Sequence, residues 1–407
     1  MDVQRRLDAV WRIESARIVA TLAKMTGDIG LAEDLAQEAL VDALTQWPQS
    51  GVPQNAGAWL TAVAKNKAID GWRRRERLDD RYRAIAHNLA ETTDDEWQPI
   101  DDDVVRLVFT ACHPVLSRES QVALTLRVVA GLTTEEIARL LLVPVATVQQ
   151  RIVRAKKTLS AAHVPFEAPD PAEWSARVGA VLGVVYLVFT EGYAATSGDR
   201  WMRTELANEA VRLGRVLAGL LPREPEVHGL LALMELQASR FAARTAPDGS
   251  PILLADQDRS RWDRIQIERG RDALKRVDAL GRGRGSYALQ ASIAECHVIA
   301  PSVDETDWEQ IVVLYEALGR IAPSPVVELN HAVAVSMATG PANALRIVDE
   351  LAAKGHLRGS HLLPSVRGEL LARLGRTDEA RSELLAAAGL AANDQQSAVL
   401  RAKAEAL

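Results

Sequence analysis

GLTTEEIARLLLVPVATVQQRIVRAKKTL, residues 131–159, reads as two helices joined by a sharp break, the second with one strongly polar side. Thr133 and Glu136 form a capping box, in which hydroxyl and carboxylate each satisfy an orphan amide at a helix start. Ile137, Leu140 and Leu141 give the first helix an apolar side, and Val143-Pro144 breaks it. Val148, Ile152, Ala155 and Leu159 follow at spacings of four, three and four, an inward stripe on a second helix. Thr147, Gln150, Arg151, Arg154 and Lys157 lie off that stripe. They suit base edges and phosphates in a major groove, where Arg and Gln bond bidentately. No Asp or Glu occurs between Ile137 and Phe166. The pattern is that of a helix-turn-helix, although an ordinary helical hairpin shares parts of it.

Upstream, residues 28–47 read DIGLAEDLAQEALVDALTQW. Leu35, Ala39 and Ala43 recur every four positions and face a core, leaving Glu33, Asp34, Gln37, Glu38 and Asp42 as an acidic, solvated surface. The loop SGVPQNAG, residues 50–57, is rich in turn formers. It is either a plain connection or a holder for an unstacked base, with Gln54 and Asn55 supplying amide donors and acceptors. Next comes AWLTAVAKNKAIDGWRRRER, residues 58–77, where Lys65, Asn66, Lys67, Arg73, Arg74, Arg75 and Arg77 face only Asp70 and Glu76. Such a run is a solvated face or a nucleic-acid patch. Trp59 shares a side with Val63 and belongs to the core, whereas Trp72 is suited to stacking on bases.

These three stretches, in this order and spacing, resemble the extracytoplasmic-function class of bacterial RNA polymerase sigma factors over residues 1–168. The resemblance implies that Asp34, Gln37 and Glu38 meet core polymerase, through clamp helices of its largest subunit. It implies that Gln54, Asn55, Lys65, Asn66, Arg73 and Arg74 bind the −10 element. It implies that Thr147, Gln150, Arg151, Arg154 and Lys157 read the −35 element. The acidic stretch holding Asp94, Asp95, Glu96, Asp101, Asp102 and Asp103 has the composition of a mobile tether. By resemblance it threads towards the polymerase cleft, and the apolar helix pair over 104–129 meets the second-largest subunit.

The remainder resembles the helical-repeat extension of one branch of this class. Gly368, Leu371, Gly375, Ala380, Leu384 and Ala387 stand where a tetratricopeptide repeat places its packing residues. Ala332, Val335, Ala344, Val348 and Leu351 repeat part of that pattern 36 positions earlier, close to the usual period of about 34. Ala210, Leu217 and Pro222 match Ile311, Leu318 and Pro323 in spacing. A short solenoid is expected over 205–407, preceded by helices from Pro171. Two segments are too polar or aromatic for plain repeat packing: FTEGYA at 189–194 with Trp201, and DQDRSRWD at 256–263, preceded by the loop 246–251. Glu191, Tyr193, Asp256, Asp258, Arg259, Arg261 and Trp262 are candidates for a regulatory pocket or an interdomain lock.

The 407 residues predict an all-α chain of four parts: 1–83, the −10 and polymerase domain; 84–103, the linker; 104–168, the −35 domain; and 169–407, the repeat-like, regulatory extension. Net charge is −6, so positive charge is local, in residues 65–83 and 139–157, and an isolated chain binds DNA weakly. Cys112 and Cys296 are too few for a disulfide framework, and no metal spacing surrounds His113 or His297. No nucleophile–base pair or phosphate loop predicts an enzyme, and no cofactor is expected. No signal peptide or long apolar span is expected, which predicts a cytoplasmic protein without a membrane partner. Three readings remain: a sigma factor whose extension docks on the sigma domains and modulates them, a one-component helix-turn-helix regulator whose extension is a sensor, or a scaffold or enzyme built on the repeat domain with an incidental helix-turn-helix.

Overall fold

A computed structural model describes residues 2–76, 102–141, 143–170, 172–193, 202–246, 250–391 and 394–407. The described residues contain eighteen α-helices and no strand; Thr245 and Pro251 form an isolated antiparallel bridge. Most of the acidic tether, Arg75 as a side chain, Arg77, Trp72 as a side chain, and Trp201 lie outside the described residues. The chain divides into two compact units, Met1–Val185 and Tyr186–Leu407.

The first unit holds α1 (Asp2–Thr26), α2 (Ile29–Ser50), α3 (Ala56–Glu76), α4 (Asp102–Ala111), α5 (Arg118–Val128), α6 (Thr134–Leu141), α7 (Val145–Ala161) and the start of α8 (Trp174–Tyr193). Asp28 caps α2, accepting from the amides of Gly30 and Leu31 at 2.7 and 3.1 Å. Such a cap contributes about 1 kcal/mol. Ala32, Ala36, Ala39 and Ala43 are wholly buried and let α1 and α3 approach α2 closely. Trp47 closes that layer, edge to face with Trp59 at 5.4 Å between ring centroids, so Trp59 packs as its sequence position predicts.

In the second unit each helix packs mainly on its successors: α9 (Thr204–Leu220), α10 (Pro225–Ala238), α11 (Arg264–Ala279), α12 (Ser286–Ile299), α13 (Trp308–Ile321), α14 (Pro325–Thr339), α15 (Pro341–Ala353), α16 (Leu362–Arg373), α17 (Thr377–Leu390) and α18 (Asp394–Glu405). Gly229 of α10 sets one close approach, since a Cβ there would sit 2.7 Å from the Ala288 amide nitrogen of α12. Ala332, Ala344, Val348, Leu351, Leu371 and Ala380 share one core and Leu384 and Ala387 the next, so the spaced residues do pack between paired helices. Leu217 and Leu318 both accept the capping amide that ends their helix, from Leu221 and Ala322.

Helix α8 has mean hydropathy 1.3 over an 18-residue window, long and apolar enough to cross a membrane by length and composition. Val178, Val181, Leu182, Val184, Val185, Val188 and Phe189 are nevertheless buried within the protein. A helix apolar on most sides is also what a core helix looks like.

Candidate nucleic-acid interface

The capping box is formed: Thr133 donates its amide to Glu136 Oε2 at 2.8 Å, and Glu136 its amide to Thr133 Oγ1 at 3.1 Å. Helix α6 ends at Leu141 and Pro144 stands at the N-cap of α7. Gly131 begins this unit with φ +70°, where a Cβ would lie 2.3 Å from Ser15 Oγ of α1. Only glycine serves there, because both the backbone region and the space exclude a side chain.

Val148, Ile152, Ala155 and Leu159 are buried, as their spacing predicts. The helix is thereby rotated so that Gln150, Arg154 and Lys157 are exposed and Thr147 and Arg151 half-buried. Gln149, Gln150, Val153, Arg154 and Lys157 line an open groove of about 890 Å³ along this side. Helix α7 thus offers a continuous face with two cations and amides within reach of a groove of DNA.

The basic helix α3 packs on α2 and α1. Asn66 is exposed and Lys65 half-buried; Arg73 and Arg74 fall on the last turns of α3, with side chains outside the described residues. Gln54 is exposed. Asn55 is exposed too, and its Oδ1 accepts the Ala58 amide at 3.0 Å, so its oxygen caps α3 while its amide nitrogen stays open to another partner.

Of the acidic residues on α2, Asp34 and Glu38 are exposed and Gln37 half-buried. Lys156 Nζ reaches Asp34 at 2.8 Å, and Lys67 Nζ lies 3.5 Å from Glu38 and 3.0 Å from Asp42. The Asp34 and Glu38 side chains stay 66% and 60% exposed, so these pairs are each worth about 0–1 kcal/mol and exchange readily for other partners.

Glu33 corrects the expectation of a wholly solvated acidic surface. It is 4% exposed, and accepts from Arg127 Nε at 2.7 Å and Lys156 Nζ at 2.5 Å. Burial alone would raise its pKa, but the Arg127 and Lys156 charges overcome that and hold it below the usual value of 4.5. Lys156 answers in kind: burial works to lower it, and Glu33 and Asp34 raise it above 10.5. Arg12 of α1 meets Glu136 of the capping box at 2.8 Å. These pairs bind the N-terminal helices to the helix-turn-helix. Sequence reading missed Lys156, although its position four after Ile152 and three before Leu159 borders the inward stripe, a place where a lysine needs a buried partner.

The C-terminal candidates separate. Asp256, Asp258 and Arg261 are exposed, and Asp258 serves its own turn by accepting the Ser260 amide at 2.9 Å. Trp262 is 3% exposed, packed in the core with Leu236, Ile267 and Leu274, which corrects its place among residues set aside from repeat packing. Glu191 pairs with Arg203 at 2.9 Å. Tyr193 receives Arg240 at its hydroxyl and carries the Arg244 guanidinium 3.6 Å from its ring centroid. Burial lowers Arg244 to about 10. Burial pushes both thiols, Cys112 and Cys296, up to about 11, and no group of three His, Cys, Asp or Glu among the described residues is arranged to hold a metal.

Comparison with known proteins places families along the chain. Sigma-70 region 2 matches residues 12–78, sigma-70 region 4 matches 106–159, and a family of unknown function (DUF6596) matches 177–278. An uncharacterized protein of Rhizobium meliloti (strain 1021) is 42% identical over 397 residues, covering 94% of this chain and 91% of its own. The probable ECF RNA polymerase sigma factor SigI of Mycobacterium tuberculosis is 28% identical over 175 residues, 41% of this chain and 58% of that protein. The RNA polymerase sigma-H factor of Pseudomonas aeruginosa is 27% identical over 159 residues, 37% of this chain and 82% of its own. No solved structure matches.

Proposed function

The chain belongs to the extracytoplasmic-function class of the sigma-70 family, and on that premise we propose that it binds core RNA polymerase and directs initiation at promoters whose −10 and −35 elements it reads. The observation that carries this reading is the outward face of α7, with Gln150, Arg154 and Lys157 exposed in the same unit as the basic helix α3. Thr147, Gln150 and Arg151 join Arg154 and Lys157 at the −35 element. Gln54, Asn55, Lys65, Asn66, Arg73 and Arg74 serve the −10 element, and Asp34, Gln37 and Glu38 meet the polymerase. The role needs no catalytic group of the chain's own, and its setting is the cytoplasm, where polymerase works.

Geometry adds a step. By their names the two elements lie about 25 base pairs apart, about 85 Å at about 3.4 Å per pair. Helix α3 packs on α2, and α2 on α7, so two interhelical spacings of about 8–10 Å separate the readers. Both cannot occupy their elements in this arrangement. The unit is therefore a closed form that opens on polymerase, and the contact around Glu33 is what opens. Asp34 is exchanged from Lys156 to the polymerase in the same movement.

The second unit, with its repeat-like helix pairs, modulates this competence. In vitro transcription with purified core polymerase tests the function: promoter-dependent initiation supports it, and operator binding without polymerase favours a one-component regulator instead. Comparing the whole chain with one ending after Tyr193, which keeps α8, tests the modulating role; equal promoter output from both removes it.

A further inference from the structure

Around His297 the second unit gathers positive charge that no carboxylate among the described residues offsets. Arg240 is 8% exposed; it donates to Tyr193 Oη at 2.6 Å and to the Gln237 side chain, and its Nε is buried with no hydrogen-bond partner. Arg259 donates from Nη1 to the carbonyls of His297 and Ala300, both at 2.7 Å, and leaves Nη2 buried and unpartnered. The third such atom is His297 Nδ1. Neither Arg240 nor Arg259 has a salt bridge among the described residues, whereas Arg203 of the same unit has Glu191. Burial, then the charges of Arg240 and Arg259, push His297 down to about 4. Burial and Arg240 also lower Arg259, so the two guanidiniums feel each other.

Buried donors left unmade, and cations without a counter-charge, both oppose folding. Native proteins leave few such groups without a water, ion or ligand to meet them. A water would satisfy a donor but not the charge, and the excess here is charge. We propose that Arg240, Arg259 and His297 form a binding site for the oxyanion of a small ligand, a carboxylate or a phosphoryl group. Arg240 Nε and Arg259 Nη2 donate to its oxygens, with His297 Nδ1 as a third donor in the tautomer that carries its proton there. Arg259 and His297 are half-buried, whereas Arg240 is buried. The donors are held beforehand: Arg240 by Tyr193 and Gln237, and Arg259 by two carbonyls and the Trp262 ring at 4.5 Å. Little side-chain freedom is left to lose on binding.

Calorimetric titration of the whole chain with inorganic phosphate, with acetate, and with chloride at matched ionic strength tests the site. Single-site binding of phosphate or of acetate, with none of chloride, is expected, and the anion that binds names the ligand group. Arg240→Gln and Arg259→Gln each weaken it about tenfold or more, while Arg261→Gln, exposed next door, leaves it unchanged. The His297 imidazole, followed by NMR, titrates at higher pH once the anion is present. If Arg240→Gln does not fold, the half-buried Arg259→Gln carries the comparison. Absence of binding by either anion to the folded chain, or equal binding by folded Arg259→Gln, overturns the site. Neither DNA nor polymerase is in the titration, so its failure leaves the sigma reading untouched.

Discussion

Lys156 Nζ donates to Glu33 Oε2 at 2.5 Å, joining the reading helix α7 to the acidic helix α2 across 123 positions of sequence. Arg127 takes the other oxygen of the same carboxylate. One buried anion therefore holds two cations, Arg127 of α5 and Lys156 of α7.

Glu33→Gln leaves Arg127 partly buried without its counter-charge and Lys156 with Asp34 alone. Removing one partner of a buried pair costs about 3–5 kcal/mol. Chemical denaturation of the whole chain is expected to show a loss of that order, whereas Asp34→Asn, at an exposed pair, changes stability by less than about 1 kcal/mol. Equal losses from the two variants would remove Glu33 from its anchoring role.

The closed form has a predictable response to acid. The folded pKa of Glu33 lies below its ordinary 4.5, so its contribution is complete above about 4.5 and is lost as pH falls through the lower folded value. Resonance energy transfer between dyes on α3 and α7 should stay constant from neutral pH down to about 4.5 and drop only below it. A loosening centred near neutrality would show that another group controls closure.

Arg154→Ala is expected to weaken −35 binding by about 1–3 kcal/mol if the guanidinium reads a base edge, and by less if it meets phosphate. Arg154 is exposed, so folding stability should move by no more than about 0.5 kcal/mol. Footprinting of the assembled holoenzyme and thermal melting of the free chain separate the two effects. Arg151→Ala, at a half-buried position, is expected to alter both.

Gly131→Ala forces an L side chain into φ +70° and drives its methyl against the Ser15 side chain. Backbone strain of this kind costs about 1–3 kcal/mol before the collision is added. Melting temperature should fall, and Ser15→Gly in the same chain should recover the collision's share but not the strain. Full recovery would mean that the backbone there tolerates alanine.

His297 titrates at about 4, below its ordinary 6.5, because burial and two arginines oppose its proton. Its neutral form supports the fold fully above about 6.5, and that support is lost progressively as pH falls towards about 4. Arg259→Gln removes one opposing charge and should raise the value seen by NMR. An unchanged value would mean that burial alone sets it.

Local chemistry was legible from the start. Thr133 and Glu136 are three residues apart, and Val148, Ile152, Ala155 and Leu159 mark one side of a helix, so the capping box, the break at Pro144 and the rotation of α7 all follow from nearest neighbours along the chain. The all-α class and the order of the motifs rest on the same short-range periodicity. Glu33 was misread for the complementary reason: a carboxylate on a helix that also carries Asp34, Glu38 and Asp42 looks solvated until its partners are known. Those partners, Arg127 and Lys156, lie 94 and 123 positions away. The same distance hid the meeting of Arg240, Arg259 and His297, which belong to three different segments. Periodicity determines which side of each helix is apolar; only the packing of helices remote in sequence decides which charges are buried together, because that depends on distances in space that no local pattern encodes.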